Sequence, residues 1–238
     1  MSYALITGAA KRIGKALAIS LADKGLNIIL HYNTSVDEAK SLQKIIINLG
    51  RKCILLRNDF ASLSFNLDTF KMPISVLINN ASVFENDYLD KIEMKNLLHT
   101  LNINFTYPAI LTKLVLKNSS YKGQINVINI LDTIIYKLLK NFSTYYLSKK
   151  SLADFTRLSA LFYAPDARVN GISLGQIMKN DNQSQENFNK SVKNNPLGHS
   201  GTVEEICNTV DFLINTRSIT GQIISLDGGS HLNNFTYP

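Results

Sequence analysis

Short apolar runs alternate with segments of helical period along the whole chain of 238 residues. Residues 3–6 and 75–78 form two of these runs, and each predicts a buried strand. Leu17 and Leu21 recur at the spacing of one helix face, and Gly25 ends that helix. Parallel strands that are covered by helices on both faces give this alternation. We therefore expect an α/β fold with a single Rossmann-type, doubly wound parallel sheet of seven strands.

The remaining segments complete one predicted domain that spans residues 1–238. Further strands are predicted at residues 27–30, 52–56, 123–130, 168–172 and 223–226, and long helices at residues 104–117 and 145–162. Residues 62–72 are short for a crossover and predict only a helical turn. Residues 175–195 are rich in Asn, Gln, Ser and Lys, which predicts a mobile substrate loop, and residues 230–238 predict a terminal tail.

Composition narrows the classes of protein that the chain can belong to. Hydrophobic residues make up 45% of the chain, yet no apolar run approaches the ~18 residues of a membrane span. The N-terminus lacks a basic leader with an apolar core, so no signal peptide is expected. These features predict a soluble, cytoplasmic protein with no membrane partner.

Charged and metal-binding residues are dispersed. The net charge of +7 is spread along the chain without basic clusters that alternate with aromatic residues, so we expect no nucleic-acid partner. This charge favours anionic small molecules, such as a phosphate-rich cofactor. Cys53 and Cys207 fit buried small side chains, and the four histidines lack ligand spacing, so neither a disulfide nor a metal site is expected.

A glycine-containing turn lies between the first predicted strand and its helix. Gly8 and Gly14 would let the backbone approach a pyrophosphate at the helix N-terminus. The two glycines also fit a plain tight turn and a helix-packing residue, and only the position after the first strand favours cofactor binding. The cofactor-binding candidates in this turn are Gly8, Lys11, Arg12, Ile13 and Gly14.

The end of the second predicted strand bears on the choice of cofactor. The sequence there is His31-Tyr32-Asn33-Thr34-Ser35, without the carboxylate that would bind the 2′-hydroxyl of NAD(H). Asn33 and Ser35, together with Lys11 or Arg12, are able to hold a 2′-phosphate instead. NADP(H) is therefore the expected cofactor, and His31, Tyr32, Asn33 and Ser35 join its candidate contacts.

Tyr145 and Lys149 stand one helical turn apart and project from the same helix face. A nearby ammonium group favours tyrosinate, which would suit Tyr145 as a proton relay, and it would also bind the cofactor ribose. Tyr146 and Lys150 repeat this spacing, so the spacing alone does not identify the pair.

Several motifs occur in the order that is typical of one family: the turn at 7–14, Asp59, Asn79-Asn80-Ala81, Asn104, Tyr145 with Lys149, Arg168-Val169-Asn170 and Asp227-Gly228-Gly229. Over residues 3–232 the chain thereby resembles the short-chain dehydrogenase/reductase family. The resemblance implies that Asp59 contacts adenine, that Asn80 and Ala81 line the cofactor, and that Asn104 supports a proton-relay water. It also implies that Lys149 holds the nicotinamide ribose. It favours Tyr145 over Tyr146, because Ser148 supplies the small residue before the lysine.

One position departs from the common family pattern. Thirteen residues before Tyr145 the family usually has a serine, and here that residue is Asp132. In this respect the chain resembles the pteridine reductase and dihydromonapterin reductase branch, as it does at Arg12, at Ser82 and in His31-Tyr32. Phe84 matches the aromatic that stacks on a pterin in that branch. The implied substrate-binding residues are Arg12, Ser82, Phe84, Asp132 and Tyr145, and the implied catalytic residues are Tyr145, Lys149, Asp132 and Asn104.

The expected function is NADPH-dependent reduction of a pterin, dihydropterin or dihydrofolate C=N bond, with Tyr145 and Asp132 supplying the proton. A carbonyl reductase of the 3-oxoacyl-carrier-protein type, with Thr133 or a water in place of the serine, is the alternative. A second alternative is a regulator that binds NADPH without catalysing a reaction. The resemblance also implies a homotetramer or homodimer, assembled through the helices that begin near Asn104 and Tyr145.

Overall fold

The computed structural model describes residues 1–60, 70–179 and 184–234. All its strands lie in one sheet of seven parallel strands in the order β3-β2-β1-β4-β5-β6-β7. The strands are β1 (Tyr3–Ile6), β2 (Asn27–Tyr32), β3 (Cys53–Arg57), β4 (Ile74–Asn79), β5 (Ile125–Asp132), β6 (Ala167–Leu174) and β7 (Ile223–Leu226). This arrangement confirms the predicted Rossmann-type α/β fold.

Helices cover both faces of the sheet. They are α1 (Arg12–Asp23), α2 (Val36–Asn48), α3 (Met94–Leu101), α4 (Tyr107–Asn118), α5 (Ser143–Phe162), α6 (Gln185–Lys193) and α7 (Val203–Asn215). In β1, Ala4 and Ile6 pack with apolar side chains of α1, α2 and α7, whereas Leu5 packs with those of α4. Successive strand residues point to opposite faces, so each buried strand contributes to two apolar cores.

The strand order places the functional edge of the sheet. β1 lies between β2 and β4. The next strands, β2 and β3, lie on one side of β1, and the later strands, β4 to β7, lie on its other side. The carboxyl ends of parallel strands at such a switch point form a crevice in which ligands bind. The turn after β1, the residues after β4 and the end of β5 all meet at this crevice.

The helix that was predicted to begin at residue 104 begins earlier. α3 starts at Met94 and continues into α4 through a π-helical segment, Asn102–Thr106. Asn104 lies inside that segment and is fully buried. A π-helical turn inserts an extra residue in the helix and often occurs at functional sites, and the spacing of apolar residues does not reveal it.

Residues 175–195 are not only a loop, because α6 occupies much of this segment. Ser184 caps α6 by accepting a hydrogen bond from the Asn187 N–H at 3.1 Å. The helix is mostly polar and exposed, so its weak apolar pattern left it unpredicted, although a Ser cap before a polar helix was a usable signal. The predicted helical turn at 62–72 falls largely at residues 61–69, which lie outside the described residues.

The predicted tail begins with a short 3₁₀ helix, Ser230–Asn234. Asp227 fixes its start by accepting hydrogen bonds from the N–H groups of Gly229 and His231, at 3.0 and 2.7 Å. Residues 235–238 lie outside the described part of the chain. Both cysteines are free thiols. Within the described ranges, no helix combines the length and apolar character needed to cross a membrane.

Candidate active site

The turn between β1 and α1 is fastened to the end of β4 by hydrogen bonds. The Thr7 hydroxyl accepts hydrogen bonds from the N–H groups of Asn80 and Ala81, at 2.8 and 2.9 Å. The Asn80 amide donates to the carbonyls of Thr7 and Gly8 at 2.8 and 3.2 Å. Thr7 was not among the predicted site residues, although a hydroxyl at the start of a glycine turn was the signal for it. These bonds fix the path of the backbone around the turn.

Gly14 is the glycine of the turn that packing requires most strongly. A Cβ at this position would lie 2.3 Å from the Gly8 carbonyl oxygen and 2.8 Å from the Ala9 Cα. Gly8 itself has φ +61°, in the left-handed region that glycine adopts without strain. The two glycines therefore bring the first turn of α1 close against the end of β1.

A cavity of about 400 Å³ opens at this turn and is called the turn cavity here. Its lining includes Gly8, Arg12, Ile13, Gly14, Asn80 and Ala81. No side chain caps the N-terminus of α1, so helix N–H groups remain available where Ile13 and Gly14 line the cavity. Uncapped N–H groups and the positive end of the helix dipole form a site for an anionic group, so these residues fit a pyrophosphate.

His31 supports the turn from below. Its Nδ1 accepts the Gly8 N–H at 3.1 Å, and its Nε2 lies 3.1 Å from the Asn58 carbonyl oxygen, to which it donates as the neutral tautomer. The ring stacks on Phe60 with centroids 4.1 Å apart. Burial lowers the pKa of His31 to about 4, so the imidazole is neutral near pH 7 and keeps its acceptor for Gly8. His31 lines the turn cavity and also positions its backbone.

The buried imidazole predicts a loss of stability in acid. An unfolded chain protonates His31 near pH 6.5 and the folded chain only near pH 4, so the folded state loses stability as the pH falls through this window. The loss amounts to about 3 kcal/mol. His31→Asn keeps an acceptor for Gly8 but does not titrate, so urea unfolding should show the stability gap between wild type and variant shrinking from pH 7 to pH 4. A gap that stays constant with pH would contradict this assignment.

The other predicted cofactor contacts fall into two groups. Asn33 and Asp59 line the turn cavity, and so does Lys11, whose Nζ forms an exposed ion pair with Glu38 at 2.7 Å. Tyr32 and Ser35 do not line it. The Tyr32 side chain is buried in the apolar core, and Ser35 precedes α2. Successive residues of a strand point to opposite faces of the sheet. Tyr32 therefore points away from the face on which His31 lines the turn cavity.

A second cavity, of about 570 Å³, adjoins the turn cavity and is called the tyrosine cavity here. Tyr145 on α5 and Asp132 at the end of β5 meet in it, with the Tyr145 hydroxyl donating to Asp132 Oδ2 at 3.0 Å. The second carboxylate oxygen, Oδ1, accepts the Ile134 N–H at 2.8 Å. Strand β5 thus extends two residues further than predicted and carries the aspartate directly to the tyrosine.

The pKa of Tyr145 shifts in the direction opposite to the predicted one. Burial raises the pKa of the Asp132 carboxyl, although the Ile134 N–H and the Lys149 cation pull it down. Burial and the Asp132 charge raise the pKa of Tyr145 well above that of a free phenol. A nearby ammonium group was predicted to favour tyrosinate, whereas burial and the Asp132 carboxyl shift the pKa of Tyr145 upward. Tyr145 is a neutral phenol that is placed to donate a proton.

Lys149 lies one helical turn after Tyr145 and is almost fully buried. Its Nζ donates to the Ile130 carbonyl oxygen at 3.0 Å and lies 5.7 Å from the centre of the Tyr145 ring. Burial lowers the pKa of Lys149 to about 8, while the Asp132 charge raises it. Lys149 also lines the tyrosine cavity.

Asn104 ties the loop after β4 to α5. Its Oδ1 accepts from the Ser82 hydroxyl and the Val83 N–H at 3.1 and 2.9 Å, and its Nδ2 donates to the Val83 carbonyl and the Ser148 hydroxyl, both at 3.0 Å. Protein groups thus occupy all the hydrogen-bonding positions of its side-chain amide. The Asn104 side chain therefore joins the loop after β4 to α5, and its support of a relay water stays a prediction.

Phe84 lines the tyrosine cavity and is 48% exposed. Its ring stacks on Phe142 with centroids 4.4 Å apart and lies nearly perpendicular to the Tyr145 ring, with centroids 4.7 Å apart. Phe142 also lines the cavity and was not predicted as a site residue, although it lies one turn before Tyr145. Its φ of +62° is unusual for a bulky residue, and such strain persists where the surroundings fix it.

Asp87 holds the strained backbone of Phe142 in place. Its carbonyl accepts the Phe142 N–H at 2.8 Å, and its carboxylate accepts the Thr144 N–H at 3.2 and 3.3 Å. Thr144 lies in the first turn of α5, so the carboxylate supplies the cap that the Phe142 side chain does not. Asp87 therefore fixes the two aromatic rings and the start of the tyrosine helix together.

Arg12 and Ser82 line both cavities, as their predicted double role requires. Arg12 has φ +51°, a glycine-like conformation at the position where the family usually has a glycine. Its guanidinium donates to the Lys179 carbonyl at 3.3 Å and so links the turn to the segment after β6. Strain at this residue is the cost of placing a cation where the cavities meet.

Comparisons with known proteins indicate the same family as the sequence motifs do. Residues 8–231 match a family model described as enoyl-(acyl carrier protein) reductase. A 3-oxoacyl-[acyl-carrier-protein] reductase from Buchnera aphidicola subsp. Schizaphis graminum is 31% identical over 237 residues, which cover 96% of this chain and 97% of that protein.

Two solved structures are similar to the chain throughout. One is FolM alternative dihydrofolate reductase 1 from Brucella canis complexed with NADP, with a TM-score of 0.91, 33% identity and coverage of 97% of this chain and 94% of that one. The other is its counterpart from Brucella suis, also in complex with NADP, with a TM-score of 0.92 and 33% identity over 97% and 95% of the two chains. The chain belongs to the short-chain dehydrogenase/reductase family, whose members are oxidoreductases that use a nicotinamide cofactor.

Proposed function

We propose that the protein is an NADPH-dependent reductase of a C=N bond in a pterin or dihydropterin ring. The observation that carries the proposal is the 3.0 Å hydrogen bond from Tyr145 to Asp132 inside a cavity that Phe84 also lines. Reduction of a C=N bond needs a proton at the ring nitrogen, and a phenol coupled to a carboxyl group of raised pKa is a proton source. The similarity to FolM supports the same class of substrate.

The chain's own residues divide the binding of the cofactor between them. The uncapped start of α1, with Ile13 and Gly14, would hold the pyrophosphate. Asn33 and Lys11, which line the turn cavity, would contact a 2′-phosphate, and Asp59, which also lines it, would contact adenine. Lys149 would hold the nicotinamide ribose. When bound, NADPH supplies a hydride to a ring carbon of the substrate.

Proton delivery then falls to Tyr145 and Asp132. The Tyr145 hydroxyl would donate its proton to the ring nitrogen as the hydride reaches the adjacent carbon, and the protonated Asp132 carboxyl would return a proton to the phenolate oxygen. Burial raises the pKa of both groups from their ordinary values. Because the two groups share one hydrogen bond, they titrate as a coupled pair.

The aromatic pair would hold the ring of the substrate. Phe142 covers one face of the Phe84 ring, and the Tyr145 ring lies nearly perpendicular to it, which leaves a half-exposed aromatic surface in the cavity. A flat heteroaromatic ring would stack on that surface. The guanidinium of Arg12 and the hydroxyl of Ser82 lie at the same junction and would position the ring polar groups.

A carbonyl reductase of the 3-oxoacyl-carrier-protein type is the second candidate. The Buchnera relative and the family model favour it. In that case the hydroxyl of Thr133, which lines the tyrosine cavity directly after Asp132, would take the place of the missing serine. Asp132 counts against it, since the family usually has a serine hydroxyl at this point, and both oxygens of the Asp132 carboxyl already accept hydrogen bonds, from the Ile134 N–H and the Tyr145 hydroxyl.

A substrate panel tests the proposal. NADPH oxidation is followed with 7,8-dihydrobiopterin, 7,8-dihydrofolate and an acetoacetyl thioester on one preparation, and NADH is run in parallel. We expect kcat/KM to be at least about 100-fold higher for a pterin than for the thioester, and higher with NADPH than with NADH. Asp132→Ser should lower pterin turnover more than thioester turnover. Fast thioester reduction without pterin reduction would instead establish the second candidate.

We also propose that identical copies of the chain assemble into a homo-oligomer. Exposed apolar side chains project from α4 and α5, at Ile110, Leu147, Leu158, Leu161 and Phe162. Clustered exposed apolar residues favour protein contacts. They support assembly of identical chains, as a dimer or tetramer, through these two helices.

A further inference from the structure

Lys137 is a residue of the tyrosine cavity that the proposed mechanism does not use. It follows the 3₁₀ turn Thr133–Tyr136, which comes directly after Asp132, and it lines the cavity. Its Nζ donates to the Ser230 hydroxyl at 2.6 Å. Ser230 begins the short helix that Asp227 fixes, so the ammonium group rests on an ordered support.

Lys137 is not paired directly with a carboxylate among the described residues, and the Asp132 carboxyl acts on it only at longer range. Asp132 is the only carboxyl group among the described residues that line the cavity, and it is engaged by Tyr145 and the Ile134 N–H. Within the described part of the chain, no carboxylate forms an ion pair with Lys137. An ammonium group has three donors, and the bond to Ser230 uses one of them.

The surroundings of Lys137 are polar and suit a charged group. Ser191, Asn194, Asn195 and Asn233 line the same cavity and supply further hydrogen-bonding groups. The cavity of about 570 Å³ lies within the range of pockets that enclose a drug-sized ligand. A cation with free donors in a partly enclosed polar pocket favours an anionic ligand.

We propose that Lys137, held by Ser230, is a specificity-determining residue that binds an anionic group on the side chain of the substrate. This inference rests on the proposed pterin reductase function and narrows it to pterins whose side chain carries a carboxylate or a phosphate ester. The ring would lie against Phe84 and Tyr145, and the side chain would extend toward Lys137 and Ser230.

The test compares charged and neutral substrates in Lys137→Gln. The probes are 7,8-dihydrofolate, which carries carboxylates, a dihydropterin phosphate ester, and 7,8-dihydrobiopterin, whose side chain is neutral. We expect KM to rise about tenfold for the charged probe that the site accepts, with kcat nearly unchanged and KM for dihydrobiopterin unchanged. The larger response of the two charged probes identifies carboxylate or phosphate as the natural group.

Two controls separate this role from general effects of charge. Lys140→Gln makes the same charge change at an exposed lysine that does not line the cavity, and it should leave every KM unchanged. Lys137→Arg should retain most of the preference for the charged probe. Equal changes in KM for charged and neutral pterins would overturn the inference alone. Absence of turnover with every pterin would overturn the proposed function and this inference with it.

Discussion

Tyr145→Phe should lower kcat for pterin reduction by about 10³-fold, because it removes the proton donor while leaving the ring in place. The phenol is buried and its hydroxyl donates to Asp132, so the substitution takes away one oxygen from a packed site. NADPH affinity, measured by the quenching or transfer of fluorescence, should stay at the wild-type level, since Lys149 and the turn cavity are untouched. Steady-state and single-turnover rates of NADPH oxidation measure the effect.

The sequence offers a matched control for this prediction. Tyr146 and Lys150 have the same spacing as Tyr145 and Lys149, but Tyr146 does not line the tyrosine cavity. Tyr146→Phe should therefore keep the wild-type kcat. If Tyr145→Phe turns over at the wild-type rate, or if Tyr146→Phe is the inactive variant, the assignment of the proton donor is wrong.

Gly14→Ala should weaken NADPH binding by about 100-fold, equivalent to two lost charge-assisted hydrogen bonds. The new Cβ would lie 2.3 Å from the Gly8 carbonyl oxygen and 2.8 Å from the Asn80 amide nitrogen. Backbone atoms cannot yield as a flexible side chain does, so the first turn of α1 must move away from the end of β1. The same overpacking should lower the free energy of unfolding by up to about 3 kcal/mol. Calorimetric titration with NADPH and urea unfolding measure the two effects.

Gly25→Ala is the control for this second substitution. Gly25 has φ +99° and nothing lies within 4 Å of its added Cβ, so the variant carries backbone strain without a clash. It should lose about 1 kcal/mol of stability and bind NADPH as the wild type does. Equal NADPH affinity in Gly14→Ala and wild type would show that the close packing of the turn is not needed for the cofactor.

Much of the fold was predictable because strands and helices leave local periodic patterns. The predicted positions of β1 and β4 agree with the structure to within one residue, and Gly25 ends α1 as expected. The π-helical segment around Asn104 and the polar helix α6 were not predicted. An extra residue in a helical turn leaves no such pattern, and a short helix with few apolar residues leaves only a weak one.

The candidate site was predictable only as a set of residues. Asp132 and Tyr145 were identified from the resemblance, and the structure places their side chains 3.0 Å apart. Phe142, Asp87 and Lys137 were missed, because each owes its position to contacts with a distant segment of the chain. The direction of the pKa change of Tyr145 was wrong for the same reason, since burial comes from several elements at once.

By itself, the sequence determined the alternation of strands and helices, the glycines that let α1 approach β1, and the identity of the polar residues at the strand ends. These features depend on neighbours within a few positions along the chain. Only the tertiary structure decided which polar groups meet, which are buried, and which cations line the tyrosine cavity. Desolvation and hydrogen-bond geometry arise when residues far apart in sequence pack together, and for that reason His31 remains neutral and Tyr145 remains a phenol.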